Sequence, residues 1–138
     1  MPTLYYEFKL YIMNQINVNH IANLNNDYLR GIEFYKQELN IMQGRLEEIA
    51  ADNTGKEVSE QVEHFQNQFL IHSNYLDEIK HRIKTDIKRI EQQLHKTHVF
   101  VTEDTAVEYD NVNEQYITEE KIFNDLRHEF NRFAAKWM

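Results

Sequence analysis

The stretch from residue 54 to residue 98 constrains the fold most, because apolar residues recur in it at steps of four and three, without a glycine or proline after Gly55. Only an α-helix places such positions on one face, and a helix this long must bury its stripe against other long helices. The stripe runs through Val58, Val62, Phe65, Phe69, His72, Leu76, Ile79 and Ile83, and after one extra step of four through Ile87, Ile90 and Leu94.

The residues before this stretch predict a first helix over about 3–51. Pro2 suits a first helical turn, and an apolar stripe leads through Ile21, Leu24 and Tyr28 to Ile49. Six asparagines fall between residues 14 and 26. Because Asn is a poor helix former, a bend or break there is left open, with the N-terminal segment as a separate helix. A strand over 4–12 is the rival, since apolar and charged residues alternate in it.

Two capping boxes mark the later helices. Thr54 with Glu57 predicts a second helix over about 54–98, and Thr105 with Glu108 predicts a third over about 106–137. Short connections make consecutive helices antiparallel neighbours. The expected fold is therefore all-α: one domain spanning residues 1–138, a long antiparallel three-helix up-down-up bundle with coiled-coil-like packing.

Composition excludes several classes of function. A net charge of −8 argues against nucleic acid and anionic membranes as partners, because both need a basic face. The absence of cysteine excludes disulfides, thiolate metal sites and a cysteine nucleophile. No N-terminal stretch resembles a signal peptide or spans a bilayer, so a cytoplasmic, acidic protein is expected.

Polar residues on the stripes are candidates for a polar core. His72 is predicted to lie level with Tyr35 and to form a hydrogen bond with it. Glu119, on the stripe of the third helix, is predicted to pair with Lys84 or Lys80. Such pairs fix the register of a bundle more often than they bind a ligand or act as a base.

A weaker candidate is a metal site. Glu91, His95 and His98 share one helical face, and two imidazoles with a carboxylate can hold a divalent metal. The rival interpretation is a polar flank near a helix C-terminus, where histidine is favoured by the helix dipole. No cofactor is expected, because no phosphate-binding loop, catalytic triad or zinc pattern is present.

The predicted register leaves one end of the bundle uncovered. Counting from the connection at 99–104 puts Trp137 level with Gln66, so residues 41–65 form a two-helix tip without a third helix over it. The exposed seam of this tip is expected to be an interface for a second copy or another helical protein. Its residues are Met42, Leu46, Ile49, Val58, Val62 and Phe65.

Two functions follow from these patterns. The first is a non-enzymatic module for protein–protein interaction or structural self-association, expected as a homodimer. The alternative is a small helical bundle that binds a metal or small ligand, with or without catalytic activity. They differ in whether the polar stripe residues converge on a cavity or are paired one by one.

Overall fold

A computed structural model describes the backbone of residues 2–97 and 103–138, and the side chains of 21–92 and 107–138. Within these residues every element is a helix and no strand occurs. The three helices are α1 (Pro2–Asp52), α2 (Lys56–Thr97) and α3 (Glu103–Trp137). The predicted all-α three-helix bundle is confirmed. None of the helices, over the described residues, carries an apolar stretch long enough to cross a membrane.

The N-terminal segment belongs to α1. The helix is continuous from Pro2 to Asp52, so neither a strand over 4–12 nor a separate N-terminal helix forms. A strand without a partner leaves its backbone N–H and C=O groups unpaired, whereas a helix pairs them within the segment. That requirement outweighs the modest cost of the asparagines, which is a few tenths of a kcal/mol each, at about 0.7 at most.

The helix ends differ from the capping boxes by one to three residues. The carbonyl of Gly55 accepts the first bond of α2, from Ser59 N at 3.0 Å, so Gly55 rather than Thr54 is its N-cap. At the end of α1, Asn53 Nδ2 donates to the carbonyl of Ile49 at 2.9 Å. Because α3 begins at Glu103, Thr105 lies inside its first turn and not before it.

The chain divides into two compact units, and each helix contributes one segment to each unit. Unit 1 comprises Met1–Arg30 and Ile79–Tyr116, and unit 2 comprises Gly31–Glu78 and Ile117–Met138. In unit 1, Ile21 of α1 and Ile90 of α2 form a buried cluster, with Tyr109 of α3 packed against it.

In unit 2, α3 covers the whole α1–α2 hairpin. Asn53 Nδ2 lies 3.3 Å from the carbonyl of Trp137, and Lys136 Nζ lies 3.3 Å from Glu57 Oε1. The prediction of an uncovered tip at 41–65 is therefore wrong. All six residues of the predicted interface are buried within the chain itself: Met42, Leu46, Ile49, Val58, Val62 and Phe65.

The observed register of α3 on α2 differs from the predicted one. Trp137 is predicted to lie level with Gln66, whereas Lys136, the residue before Trp137, pairs with Glu57. Aromatic packing accompanies the observed register: the ring centroids of Phe133 and Phe65 lie 4.9 Å apart, and those of Phe130 and Phe69 lie 5.4 Å apart. Counting the same number of residues along both helices from their connection takes no account of these aromatic contacts, because the contacts form only when the helices dock.

Candidate functional site

A buried polar pair joins α2 and α3 within unit 2. His72 Nδ1 of α2 contacts Glu119 Oε1 of α3, and each side chain is 5% exposed. The ring of Phe123 packs edge-on against the imidazole, with centroids 6.2 Å apart. Both residues occupy apolar stripe positions, so the prediction that they belong to a polar core is consistent with their burial.

The contacts that the structure gives these residues differ from the predicted ones. The hydroxyl of Tyr35 donates to Glu120 Oε2 at 2.8 Å. Glu119 contacts His72, and Lys84 is exposed, so its ammonium keeps its hydration at the surface. A pairing of Glu119 with Lys80 stays a prediction.

A second buried polar pair, in unit 1, was not predicted. Asn25 of α1 is 0% exposed and Asp86 of α2 is 1% exposed. Asn25 Nδ2 donates to Asp86 Oδ2 at 3.3 Å, while Asn25 Oδ1 and Asp86 Oδ1 are buried and have no partner in the part of the chain that the structure describes. Burial raises the pKa of the Asp86 carboxyl; Asn25 and Arg89 oppose this shift, and Glu108 adds to it.

The spacing of the stripe carried a signal for this pair. Steps of three and four residues lead from Ile83 to Asp86 and then to Ile90. The predicted stripe instead takes an extra step of four residues, from Ile83 to Ile87. Ile87 is only partly buried, and so is Leu24, which was assigned the place that Asn25 occupies. Because stripe positions usually hold apolar residues, the predicted stripes run through Leu24 and Ile87 and leave out Asn25 and Asp86.

Hydrogen bonds between side chains surround the second pair. Burial, followed by the neighbouring Tyr28, raises the pKa of Tyr109 to about 12, so its phenol is uncharged at neutral pH. The Tyr28 hydroxyl donates to Asn113 Oδ1. On the other side of α3, Arg82 donates to Glu108 Oε1 at 2.8 Å. In the described part of unit 1, Asp86 thus lies near the uncharged Tyr109 and the Arg82–Glu108 pair, with Arg89 as a nearby positive charge.

Only one of the three metal candidates has a described side chain. Glu91 is exposed, whereas the side chains of His95 and His98 lie outside the described residues. Among the side chains that are described, no group of three His, Asp or Glu residues is placed to hold a metal ion. The site at Glu91, His95 and His98 stays a prediction.

A groove between α2 and α3 of unit 2 has a repeated geometry. Its bridging side chains each come immediately before a stripe residue: His64 Nε2 lies 3.0 Å from Glu129 Oε1, and Lys136 Nζ lies 3.3 Å from Glu57 Oε1. Further along the groove, three residues that also come immediately before a stripe residue are apolar. The α2–α3 patch consists of Ile71, Tyr75 and Ile122, which are 54%, 42% and 47% exposed.

The charges around this patch are mainly negative. Unit 2 holds fourteen Asp and Glu residues against seven Lys and Arg residues. Glu78 and Asp125 occupy the groove positions next to the patch, and both are exposed. The sequence argument missed the patch because its residues lie beside the stripes. Apolar residues directly before a stripe position were the available signal.

The fold and these sites define the class of the protein as a three-helix bundle with buried polar pairs and an apolar patch with an acidic border. Comparison with protein-family models gives no match. Neither a curated protein nor a solved structure matches the chain. Any statement about function therefore rests on the residues described above.

Proposed function

We propose that this chain is a non-enzymatic protein-interaction module that binds a basic amphipathic helix of another protein along the α2–α3 groove. The observation that carries the proposal is the α2–α3 patch, where three large apolar side chains are exposed by 42–54% between two helices. An amphipathic helix laid into such a groove buries its apolar face there. Exposed apolar clusters with polar borders commonly mark interaction sites.

Charge determines the chemistry of the partner. Glu78 and Asp125 border the patch, and unit 2 has twice as many acidic as basic residues. A partner with Lys or Arg beside its apolar stripe complements this surface and gains association rate from it. A second copy docked through the same patch brings acidic borders together, which disfavours a symmetric dimer.

The homodimer predicted from the sequence lacks its apolar centre, because the six tip residues are buried within the chain. Under the proposal, the chain is a monomer at tens of micromolar, and its mass in solution tests this. A dimer mass that Ile71→Ser leaves unchanged would point to self-association through another surface. A dimer that the Ile71→Ser variant no longer forms would show that a second copy of the chain, and not a helix of another protein, occupies the groove.

Two synthetic helical peptides test the partner. They share their length and apolar stripe, but one has lysines beside the stripe and the other has glutamates. Fluorescence anisotropy is expected to show binding of the lysine peptide alone. Ile71→Ser and Ile122→Ser should each weaken it roughly tenfold, because these side chains form the apolar centre.

Ile41→Ser is the matched control, because Ile41 of α1 is exposed by the same 54% as Ile71 but lies outside the groove. Its affinity for the lysine peptide should equal that of the unchanged protein. Equal binding of the two peptides, equal losses in Ile41→Ser and Ile71→Ser, or no binding at all would each overturn the proposal.

A further inference from the structure

A neutral amide and an ionised carboxylate leave the Asn25–Asp86 pair one hydrogen bond short. One hydrogen bond joins Asn25 Nδ2 to Asp86 Oδ2 at 3.3 Å. Both residues are at most 1% exposed, and the two remaining oxygens, Asn25 Oδ1 and Asp86 Oδ1, have no donor among the described residues. Buried acceptors without a donor cost stability, about 1–3 kcal/mol in mutational data.

A carboxylic acid removes this deficit. A primary amide and a protonated carboxyl can form a ring of two hydrogen bonds, in which the amide N–H donates to one carboxyl oxygen and the carboxyl O–H donates to the amide oxygen. The first of these bonds is present. The second would use the two oxygens that lack a partner.

We infer that Asp86 holds a proton on Oδ1 and donates it to Asn25 Oδ1, which closes a cyclic acid–amide pair in unit 1 and makes the packing of α1 on α2 there favoured by acid. The proton is taken up from water when the unit folds and returns to water when Asp86 becomes exposed. No other group changes its charge in this step.

The groups that face Asp86 among the described residues agree with this assignment. From α1, Asn25 contributes an uncharged amide. From α3, Glu108 opposes ionisation of Asp86, and Tyr109 is uncharged because its pKa is raised to about 12. The hydrogen bond from Asn25 and the charge of Arg89 on α2 favour the ionised form, and each has a smaller effect than burial.

The sign of the pH dependence follows directly. Burial raises the pKa of Asp86 in the folded chain above its value in the unfolded chain. The stabilisation is fully present below the unfolded value, about 3.9 for an ordinary aspartate, and is lost as the pH rises through the folded value. Unit 1 is therefore expected to weaken towards neutral and alkaline pH.

Asp86→Asn tests the inference, because its amide can donate to Asn25 Oδ1 at every pH. Thermal unfolding is measured for this variant and for the unchanged protein between about pH 4 and about pH 8, a range that starts near the ordinary aspartate pKa. The midpoint of Asp86→Asn should exceed that of the unchanged protein by a margin that widens as the pH rises. Asp110→Asn is the control, because Asp110 is an exposed aspartate of the same unit and its margin should stay constant.

A direct titration covers the case in which Asp86→Asn fails to fold. The carboxyl carbon of Asp86 is followed by nuclear magnetic resonance in the unchanged protein. Its midpoint is expected above about 3.9, the ordinary value. A titration midpoint at or below that value would overturn the inference. So would thermal midpoints of Asp86→Asn and the unchanged protein that differ by the same amount at every pH.

Discussion

The imidazole of His72 faces the carboxyl of Glu119 across the α2–α3 packing of unit 2, and both side chains are 5% exposed. Two polar groups thus occupy stripe positions where apolar residues are usual, and each serves as the partner of the other. A buried pair of this kind costs desolvation, so its net contribution to stability is small, whereas the loss of one member is expensive.

A double-mutant cycle tests this relationship. His72→Leu and Glu119→Leu should each destabilise the chain by about 3–5 kcal/mol, because each leaves one polar group buried without its partner. The double variant should recover most of that loss, since two apolar side chains then meet. Chemical denaturation measures all four free energies of unfolding. Additive losses in the double variant would show that the two residues do not interact.

Tyr35 is expected to be coupled to Glu120 and not to His72. Tyr35→Phe removes the donor of the 2.8 Å bond to Glu120 Oε2 and should cost about 1 kcal/mol. In the background of Glu120→Ala the same change should cost much less, whereas in the background of His72→Leu its cost should be unchanged. The reverse pattern of couplings would restore the Tyr35–His72 pair that the sequence suggested.

Leu46 is expected to act through folding and not through an interface. Its side chain is 0% exposed, so Leu46→Ala should cost about 2–5 kcal/mol in the free energy of unfolding. Ile41→Ala, at a 54% exposed position of the same helix, should stay within about 0.5 kcal/mol. A Leu46→Ala variant as stable as its parent would contradict the burial of the tip.

Arg82 should contribute modestly and in a salt-dependent way. Its side chain and that of Glu108 are 32% and 30% exposed, so Arg82→Met should cost less than about 1 kcal/mol. The cost should shrink in about 1 M salt, where exposed charges are screened. Arg30→Met is the comparison, because the Arg30–Asp27 pair is 77% and 57% exposed and should contribute nothing measurable. A loss that is insensitive to salt would assign Arg82 a packing role instead.

Some of the candidate site could be predicted from the sequence and some could not. His72 and Glu119 stood out because they are polar residues on an otherwise apolar stripe, and both are buried. Asn25 and Asp86 follow the same spacing, but neighbouring Leu24 and Ile87 offered an apolar reading of the stripe. The spacing alone is compatible with both readings, and burial favours the polar one only because the two side chains can bond to each other.

The sequence by itself determined the helices, since their periodicity, end signals and lack of internal proline act over a few residues. Only the tertiary structure decided the register of α3 and the partners of Tyr35, His72 and Glu119. Stripes that repeat every seven residues fit one another in several registers, differing by whole heptads. The choice among them depends on how side chains such as Phe65, Phe130 and Phe133 pack once the helices meet, and no single helix carries that information.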